Sequence, residues 1–525
     1  LKKSASNRSL WPIFRRVRQA VQAAAFVLFL SLLLAGLHEQ AASPLADIFF
    51  RLNPLSAAAA MLASRSWLPR LGLALITVVV TVLLGRVWCG WICPMGTLLE
   101  WTAFRSARRR ARKLPEALRG IKYGLLLIIL ALAVFGSLTL TILDPLALIT
   151  RSFTAALLPA LNYAITAAEK TLYLLPVFQP AVDAFETALR GPLLPVKPPA
   201  FNGSLAIAAL LGLIVGLNLL ADRFWCRYLC PLGGLLGWLA KFSLLRPVIG
   251  SACTQCSRCA AACRPGAVFT QMENGKPAEL SISPAECTVC LDCLTRCPNE
   301  DIHFQAGLNP AWKKPAGFDP GRRQALGTLA ASAAGAALLK ADLRLRQRSS
   351  QLIRPPGVQD ETAFLSACLR CSQCIKVCPT SALQPALNEA GVEGLWTPVV
   401  MPRVGYCDYG CTACGQVCPS QAIPLLSLAE KRQAVIGKAS VDRSRCLPWS
   451  AATPCIVCEE MCPTPEKSIR LEEATMTNSQ GEELLLQRPV VMRDLCIGCG
   501  ICENHCPLEG AAAIHVNTYY EKGRI

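Results

Sequence analysis

The residues that can do chemistry here are cysteines, and their spacing says which chemistry. The 525-residue chain holds 28 of them. Cys253, Cys256, Cys259 and Cys263 follow C-x2-C-x2-C-x3-C, and Cys287, Cys290, Cys293 and Cys297 repeat it. This spacing wraps three thiolates around one cube of iron and sulfide and lends the fourth to a neighbouring cube. The expected ligand sets are Cys253, Cys256, Cys259 and Cys297 for one cluster, and Cys287, Cys290, Cys293 and Cys263 for the other. One departure loosens the first motif: Arg264 stands between Cys263 and Pro265.

Four more quartets follow: Cys368, Cys371, Cys374, Cys378; Cys407, Cys411, Cys414, Cys418; Cys446, Cys455, Cys458, Cys462; and Cys496, Cys499, Cys502, Cys506. Each last Cys precedes Pro. Nested exchange, first quartet with fourth and second with third, is the expected sharing of fourth ligands. A disulfide scaffold suits short secreted chains rather than one of this length. Zinc also takes C-x2-C pairs, but quartets ending C-x3-C-P belong to ferredoxins. Cys407-x3-Cys411-x2-Cys414 matches radical S-adenosylmethionine spacing. There Cys418 is expected to supply a fourth thiolate, and no strand–helix barrel surrounds the motif.

The remaining four cysteines form two matched pairs, Trp88-Cys89-x3-Cys93-Pro94 and Trp225-Cys226-x3-Cys230-Pro231. Two thiols four apart can share a helical face. The repetition points to one four-thiol site built from both pairs, holding a further metal centre or cycling through a disulfide. The plainer reading is buried structural thiols.

The elements that must position these residues are apolar. The chain is 53% hydrophobic, and four stretches are long enough to cross a bilayer: Ala20–Leu37, Leu71–Val87, Ile121–Leu143 and Ser204–Leu220. Asn53-Pro54-Leu55 and Asp144-Pro145-Leu146 mark a repeat of two spans each. The net charge of +18 lies mostly beside these spans, which is a positive-inside pattern rather than a nucleic-acid face. Lys2, Lys3, Arg8, Arg15, Arg16 and Arg18, and the loop carrying Arg105, Arg108, Arg109, Arg110, Arg112, Lys113 and Arg119, should be cytoplasmic. The loops after spans one and three should face the other side.

Strand signals at Ala267–Thr270, Leu280–Ser283, Ala439–Asp442 and Pro489–Met492, with a turn at Asn274-Gly275, suit small ferredoxin folds. Four histidines, His38, His303, His505 and His515, form no pair in the spans, so a two-haem bundle is unsupported. There is no C-x-x-C-H and no nicotinamide-type G-x-G-x-x-G. Arg322-Arg323 before the mild apolar run Leu326–Leu339 matches the export signal of folded, cofactor-loaded proteins; the plainer reading is a linker helix with an ordinary basic start, and Lys340, Arg344, Arg346 and Arg348 oppose simple insertion.

On these motifs, residues 1 to about 305 resemble the NapH-type polytopic ferredoxin subunit of periplasmic nitrate reductase systems. Residues from about 320 resemble the NapG/MauM-type four-cluster subunit, on Arg322-Arg323, Ile353-Arg354-Pro355-Pro356-Gly357, the quartets, and Thr397-Pro398-Val399-Val400-Met401-Pro402-Arg403. The two are joined here in one chain. The expected fold is multidomain: a four-helix transmembrane bundle with an internal repeat (1–245), an α+β double-cluster module (246–310), a linker with a twin-arginine anchor (311–357) and a four-cluster domain (358–525). The resemblance implies an electron conduit in the bacterial inner membrane, a component of a quinol dehydrogenase complex. It would carry electrons from quinol through six [4Fe–4S] clusters to a periplasmic reductase or c-type cytochrome, and no nucleic acid is involved. The N-terminus and first module are expected in the cytoplasm and the four-cluster domain in the periplasm. A maturation protein feeding electrons to a partner metalloenzyme is the alternative. A redox sensor ranks last, because no signalling domain is present.

Overall fold

Apolar stretches become helices, but most are shorter than their composition implies. The structure, a computed structural model, describes residues 10–35, 45–103, 114, 116–190, 199–273, 276–307, 322–346, 352–477 and 483–518. Lys2, Lys3, Arg8, His38, the basic run Arg105 to Lys113, Asn274-Gly275 and Gly321 lie outside them. Among the described residues one helix, Trp11–Ala35, is long and apolar enough to cross a membrane. The other three expected spans are shorter apolar helices, Pro69–Leu84, Gly120–Val134 and Ser204–Leu219, so four continuous full-length spans are not what the chain forms. Local chemistry stops each one. Gly85, at φ 80°, ends the second, and Gly136, at φ 79°, follows the end of the third. The fourth tightens into a 3-10 turn at Leu217–Leu219.

The expected repeat is present. Asn53 caps the helix Pro54–Ser64 by accepting from the Leu55 and Ser56 amides. Asp144 Oδ1 accepts from the Leu146 and Ala147 amides at the head of Pro145–Ser152. The two caps meet, with Asn53 Nδ2 donating to Asp144 Oδ2 at 2.7 Å. The first Cys of each pair lies in a wide π turn, Trp88–Ile92 and Trp225–Leu229, and the second, Cys93 and Cys230, ends it. Each turn leads into a helix that begins with Pro, Pro94–Trp101 and Pro231–Ala240.

The chain divides into two compact units. The first contains residues 1–32, 48–152 and 205–336. In it Leu245–Ile249 pairs antiparallel with Ile302–Ala306, and Val268–Glu273 with Lys276–Ile282. Val268, Leu280, Leu291, Leu294 and Ile302 form the core beneath the cysteines.

The second unit contains residues 33–47, 153–204 and 337–525. Its strand pairs are Leu383–Pro385 with Pro398–Val400, Lys438–Val441 with Ile514–Asn517, and Ile469–Thr477 with Glu483–Val491. Segments that follow expected spans one and three are built into this unit. Ala46 packs on Val377, Ala413 and Val417. The Asn202 amide donates to Gln384 Oε1 at 3.0 Å, and Gln384 Nε2 donates to Ala200 O at 3.1 Å. The segment expected as a linker contributes a 25-residue helix, Arg322–Arg346, of which the part to Ala336 belongs to the first unit and the remainder to the second.

Candidate cluster sites

In the first module two small apolar cavities each carry four thiols. Cys253, Cys256, Cys259 and Cys297 line one, and Cys263, Cys287, Cys290 and Cys293 line the other. Both groupings are those expected from a crossed fourth ligand. No disulfide joins any of the 28 cysteines. Among the described residues, no three His, Cys, Asp or Glu close tightly enough to hold a single metal ion.

The backbone between the ligands has a feature that sequence reading missed. Gln255 and Ser257, Val289 and Leu291, and Arg370 and Ser372 flank the second Cys of their quartets, and all six have left-handed φ between 51° and 64°. Gly498 and Gly500 do the same around Cys499. Left-handed φ is unfavourable for residues with a Cβ. Its repetition turns successive amides toward one point, a concavity that suits an anion. The Ala267 amide donates to Cys263 Sγ at 3.1 Å and the Val289 amide to Cys287 Sγ at 3.4 Å. Burial pushes the Cys287 and Cys290 thiols up to about 12, so thiolates persist there only beside cationic charge. An apolar hollow, four thiols and inward amides together suit an iron–sulfur cube.

The C-terminal quartets bring thiols together with those of their neighbours in sequence. Cys368, Cys371 and Cys374 share a cavity with Cys418. Cys446, Cys455 and Cys458 share one with Cys506, and Cys496, Cys499 and Cys502 with Cys462. Cys414 is pushed up by burial and then by the negative charge of Cys407, Cys378 and Cys411. The nested exchange expected from sequence is therefore corrected to first with second and third with fourth. Local strand pairs are the reason: Lys438–Val441 with Ile514–Asn517 encloses the last two quartets, and closing a shorter loop costs less entropy. The thiol that joins Cys407, Cys411 and Cys414 is Cys378, not Cys418.

The two C-x3-C pairs also converge. Burial raises the Cys93 thiol first, then the charges of Cys89 and Cys226. Burial followed by Cys226, Cys89 and Cys93 raises Cys230. Each second Cys heads a helix and receives its amides: Gly233 N donates to Cys230 Sγ at 3.2 Å, and the Gly96 and Met95 amides reach Cys93. Trp88 and Trp225 bury indole N–H groups that have no acceptor among the described residues. A four-thiol site with inward amides and spare donors suits an anionic metal centre.

Arginines frame this site. Arg86 and Arg223 each stand three residues before the first Cys of a pair, a signal the sequence carried unread. Arg86 Nη2 lies 3.9 Å from Cys89 Sγ, and Arg223 Nη1 lies 3.5 Å from Cys89 O. Glu100 holds Arg223, and Arg18 and Arg264 besides. Arg264, the residue that loosened the first motif, reaches Glu100 Oε1 at 2.7 Å and Asp292 at 3.4 Å.

Comparison with known proteins finds iron–sulfur domain models and ferredoxin-type relatives along the chain. A family model described as a 4Fe-4S binding domain matches residues 67–115 and 204–250, the segments that carry the C-x3-C pairs. A second 4Fe-4S binding domain model matches residues 488–514. The chain is 36% identical to the methylamine utilization ferredoxin-type protein MauM of Methylorubrum extorquens, over 38% of this chain and 89% of that protein. It is 34% identical to the ferredoxin-type protein NapG of Escherichia coli, over 37% of this chain and 84% of that protein. It is 26% identical to the ferredoxin-type protein NapH of Haemophilus influenzae, over 45% of this chain and 67% of that protein. No solved structure matches it.

Proposed function

The chain belongs to the MauM/NapG family of ferredoxin-type proteins, and from that premise we propose a membrane-bound conduit that carries single electrons from quinol to a periplasmic redox partner. Iron–sulfur electron transfer is common ground with these relatives. The further steps are the quinol donor, the membrane topology, the joining of a NapH-type half to a NapG/MauM-type half, and a partner such as nitrate reductase or a c-type cytochrome.

The observation that carries the proposal is that two arginines bring the pairs of the two repeat halves together: Arg86 Nη2 lies 3.9 Å from Cys89 Sγ, and Arg223, three residues before Cys226, lies 3.5 Å from Cys89 O, in segments that match a 4Fe-4S binding model. Six [4Fe–4S] clusters are assigned to the six four-thiol sites of the ferredoxin modules. A seventh centre is assigned to the C-x3-C pairs. Such clusters supply reversible one-electron chemistry when bound. The chain's own residues bury the thiols, aim amides at sulfur and set the surrounding charge, which tunes potential. No residue has to move a proton at a cluster.

The membrane part is assigned to the apolar helix Trp11–Ala35, long enough to cross, together with the shorter apolar helices Pro69–Leu84, Gly120–Val134 and Ser204–Leu219, with the first module in the cytoplasm. Segments that follow spans one and three share a compact unit with the four-quartet domain, and this supports placing that domain on the periplasmic side. Arg322-Arg323 and the helix they begin then serve as the export anchor.

A strain lacking the chain tests the reading. Partner reductase activity should persist with an artificial donor and vanish with quinol as donor. A partner that is cofactor-poor and inactive with either donor favours the maturation role instead.

A further inference from the structure

We infer that Gly90 and Trp91 form the port through which electrons pass between the four-thiol site and the cluster position of Cys263, Cys287, Cys290 and Cys293, so that this position alone in the first module exchanges electrons directly with the C-x3-C pairs. The inference rests on the iron–sulfur reading above and names a route within it.

Gly90 and Trp91 lie between Cys89 and Cys93. Thr288 and Val289 lie between Cys287 and Cys290. A Cβ on Gly90 would overlap the Thr288 carbonyl oxygen, so a hydrogen is all that fits where the two backbones meet. Trp91 Nε1 donates to Val289 O at 3.0 Å. Two ligand-bearing turns are thus joined by one backbone contact and one hydrogen bond. Glu286, next to Cys287, is tied to Lys122 at 2.6 Å and to Arg86 at 3.4 Å, and Arg86 also reaches Cys89 Sγ. The second repeat touches the same position. Arg227, the counterpart of Gly90, packs against Gly266, where a Cβ would overlap its guanidinium, and Gly266 N donates to Cys263 O at 3.3 Å. In the other quartet of the module Cys256 is exposed, which suits exchange with a soluble partner.

The port carries one electron at a time. One iron on the receiving side passes from ferric to ferrous as the donor side loses one electron, and no bond forms or breaks. A quinol donor supplies two such electrons and releases two protons where it is oxidised.

The test is electron paramagnetic resonance of the full chain reduced with dithionite, which needs no quinol. Magnetic splitting that disappears in both Cys89→Ser and Cys290→Ser is expected, and Gly90→Ala should diminish it with iron and sulfide content unchanged. Trp91→Phe, which keeps the bulk and removes the hydrogen bond, gives the same reading if Gly90→Ala fails to load iron. Splitting unaltered in Cys89→Ser, or unaltered in both port variants, overturns the inference. Splitting that follows Cys256→Ser rather than Cys290→Ser overturns it as well. A protein that quinol fails to reduce while the expected splitting persists contradicts the quinol reading and leaves the port standing.

Discussion

Arg18 grips Glu100 with both arms of its guanidinium, Nη2 to Oε1 at 2.8 Å and Nη1 to Oε2 at 3.1 Å, and both side chains are buried. The pair ties the first apolar helix to the helix that follows Cys93. Arg223 and Arg264 bind the same carboxylate, so one acid joins both repeat halves to the first module. The second half has Gly237 where Glu100 would recur. A Cβ there would stand 3.1 Å from Tyr123 Oη, and Glu286 of the ferredoxin module supplies the acid from outside the repeat. Glu100→Gln leaves two buried arginines, Arg18 and Arg223, and the half-buried Arg264 short of a partner and should cost about 3–5 kcal/mol. An unchanged urea midpoint for the detergent-solubilised protein would contradict this.

The same acid sets a pH dependence. Burial works against the charge of Glu100, and Arg223, Arg18 and Arg264 outweigh it, holding the carboxyl far below the usual carboxylate range. A depressed folded pKa gives stability that is fully present above the unfolded value of about 4.3 and is lost as pH falls toward the folded one. The docked module should therefore resist protease from pH 7 to about pH 5, and the Glu100 contribution should fade only below about pH 4. Release between pH 5 and 7 that Glu100→Gln abolishes would show the opposite sign.

Exchange between neighbouring quartets makes an ordered prediction. Cys418→Ser should remove the same paramagnetic signal as Cys374→Ser, and Cys378→Ser the same signal as Cys414→Ser. Nested exchange would instead pair Cys506→Ser with Cys374→Ser. Iron content alone cannot separate the two, because each variant loses one cluster, so which paramagnetic signal is lost decides.

The cysteine quartets were legible because cluster chemistry forces their spacing, and the two C-x3-C pairs because the Trp-Cys-x3-Cys-Pro motif occurs twice. Fourth-ligand exchange in the C-terminal domain was not legible. It depends on which strands pair, and nothing local to Lys438 says that it will lie opposite Asn517. Span lengths misled because hydropathy averages over Gly85, whose positive φ ends a helix inside an apolar run. Arg264 read as a flaw in a motif, since its partner Glu100 lies far away in sequence. The left-handed turns at Val289 and Arg370 run against the preferences of those residues, so no propensity reveals them.

Lys431 offers a test of electrostatic tuning. Its ammonium donates to the Asp408 carbonyl, beside Cys407, on a helix fixed by the Ser427–Glu430 capping box. Reduction adds negative charge to the cluster position of Cys378, Cys407, Cys411 and Cys414, and a nearby cation favours that state. Lys431→Met should lower its midpoint potential by on the order of tens of millivolts. A potential that is unchanged or raised in a redox titration removes the lysine from the account.

Topology has its own readout. Protease added to sealed cells with a permeabilised outer membrane should cut within residues 358–525 and spare residues 246–310. Inverted vesicles should give the reverse pattern. Cleavage of both modules from one side would place all the clusters there.

The central claim is that quinol reduces the clusters through the C-x3-C pairs. The direct measurement is anaerobic mixing of the purified, cluster-loaded chain with a menaquinol or ubiquinol analogue, following bleaching of the iron–sulfur absorbance. Bleaching is expected in the native protein and its loss in Cys89→Ser and Cys226→Ser, with dithionite still reducing the six ferredoxin-type clusters in all three. Clusters that stay oxidised with quinol at a potential where a chemical reductant bleaches them, or that bleach equally in both variants, would contradict it.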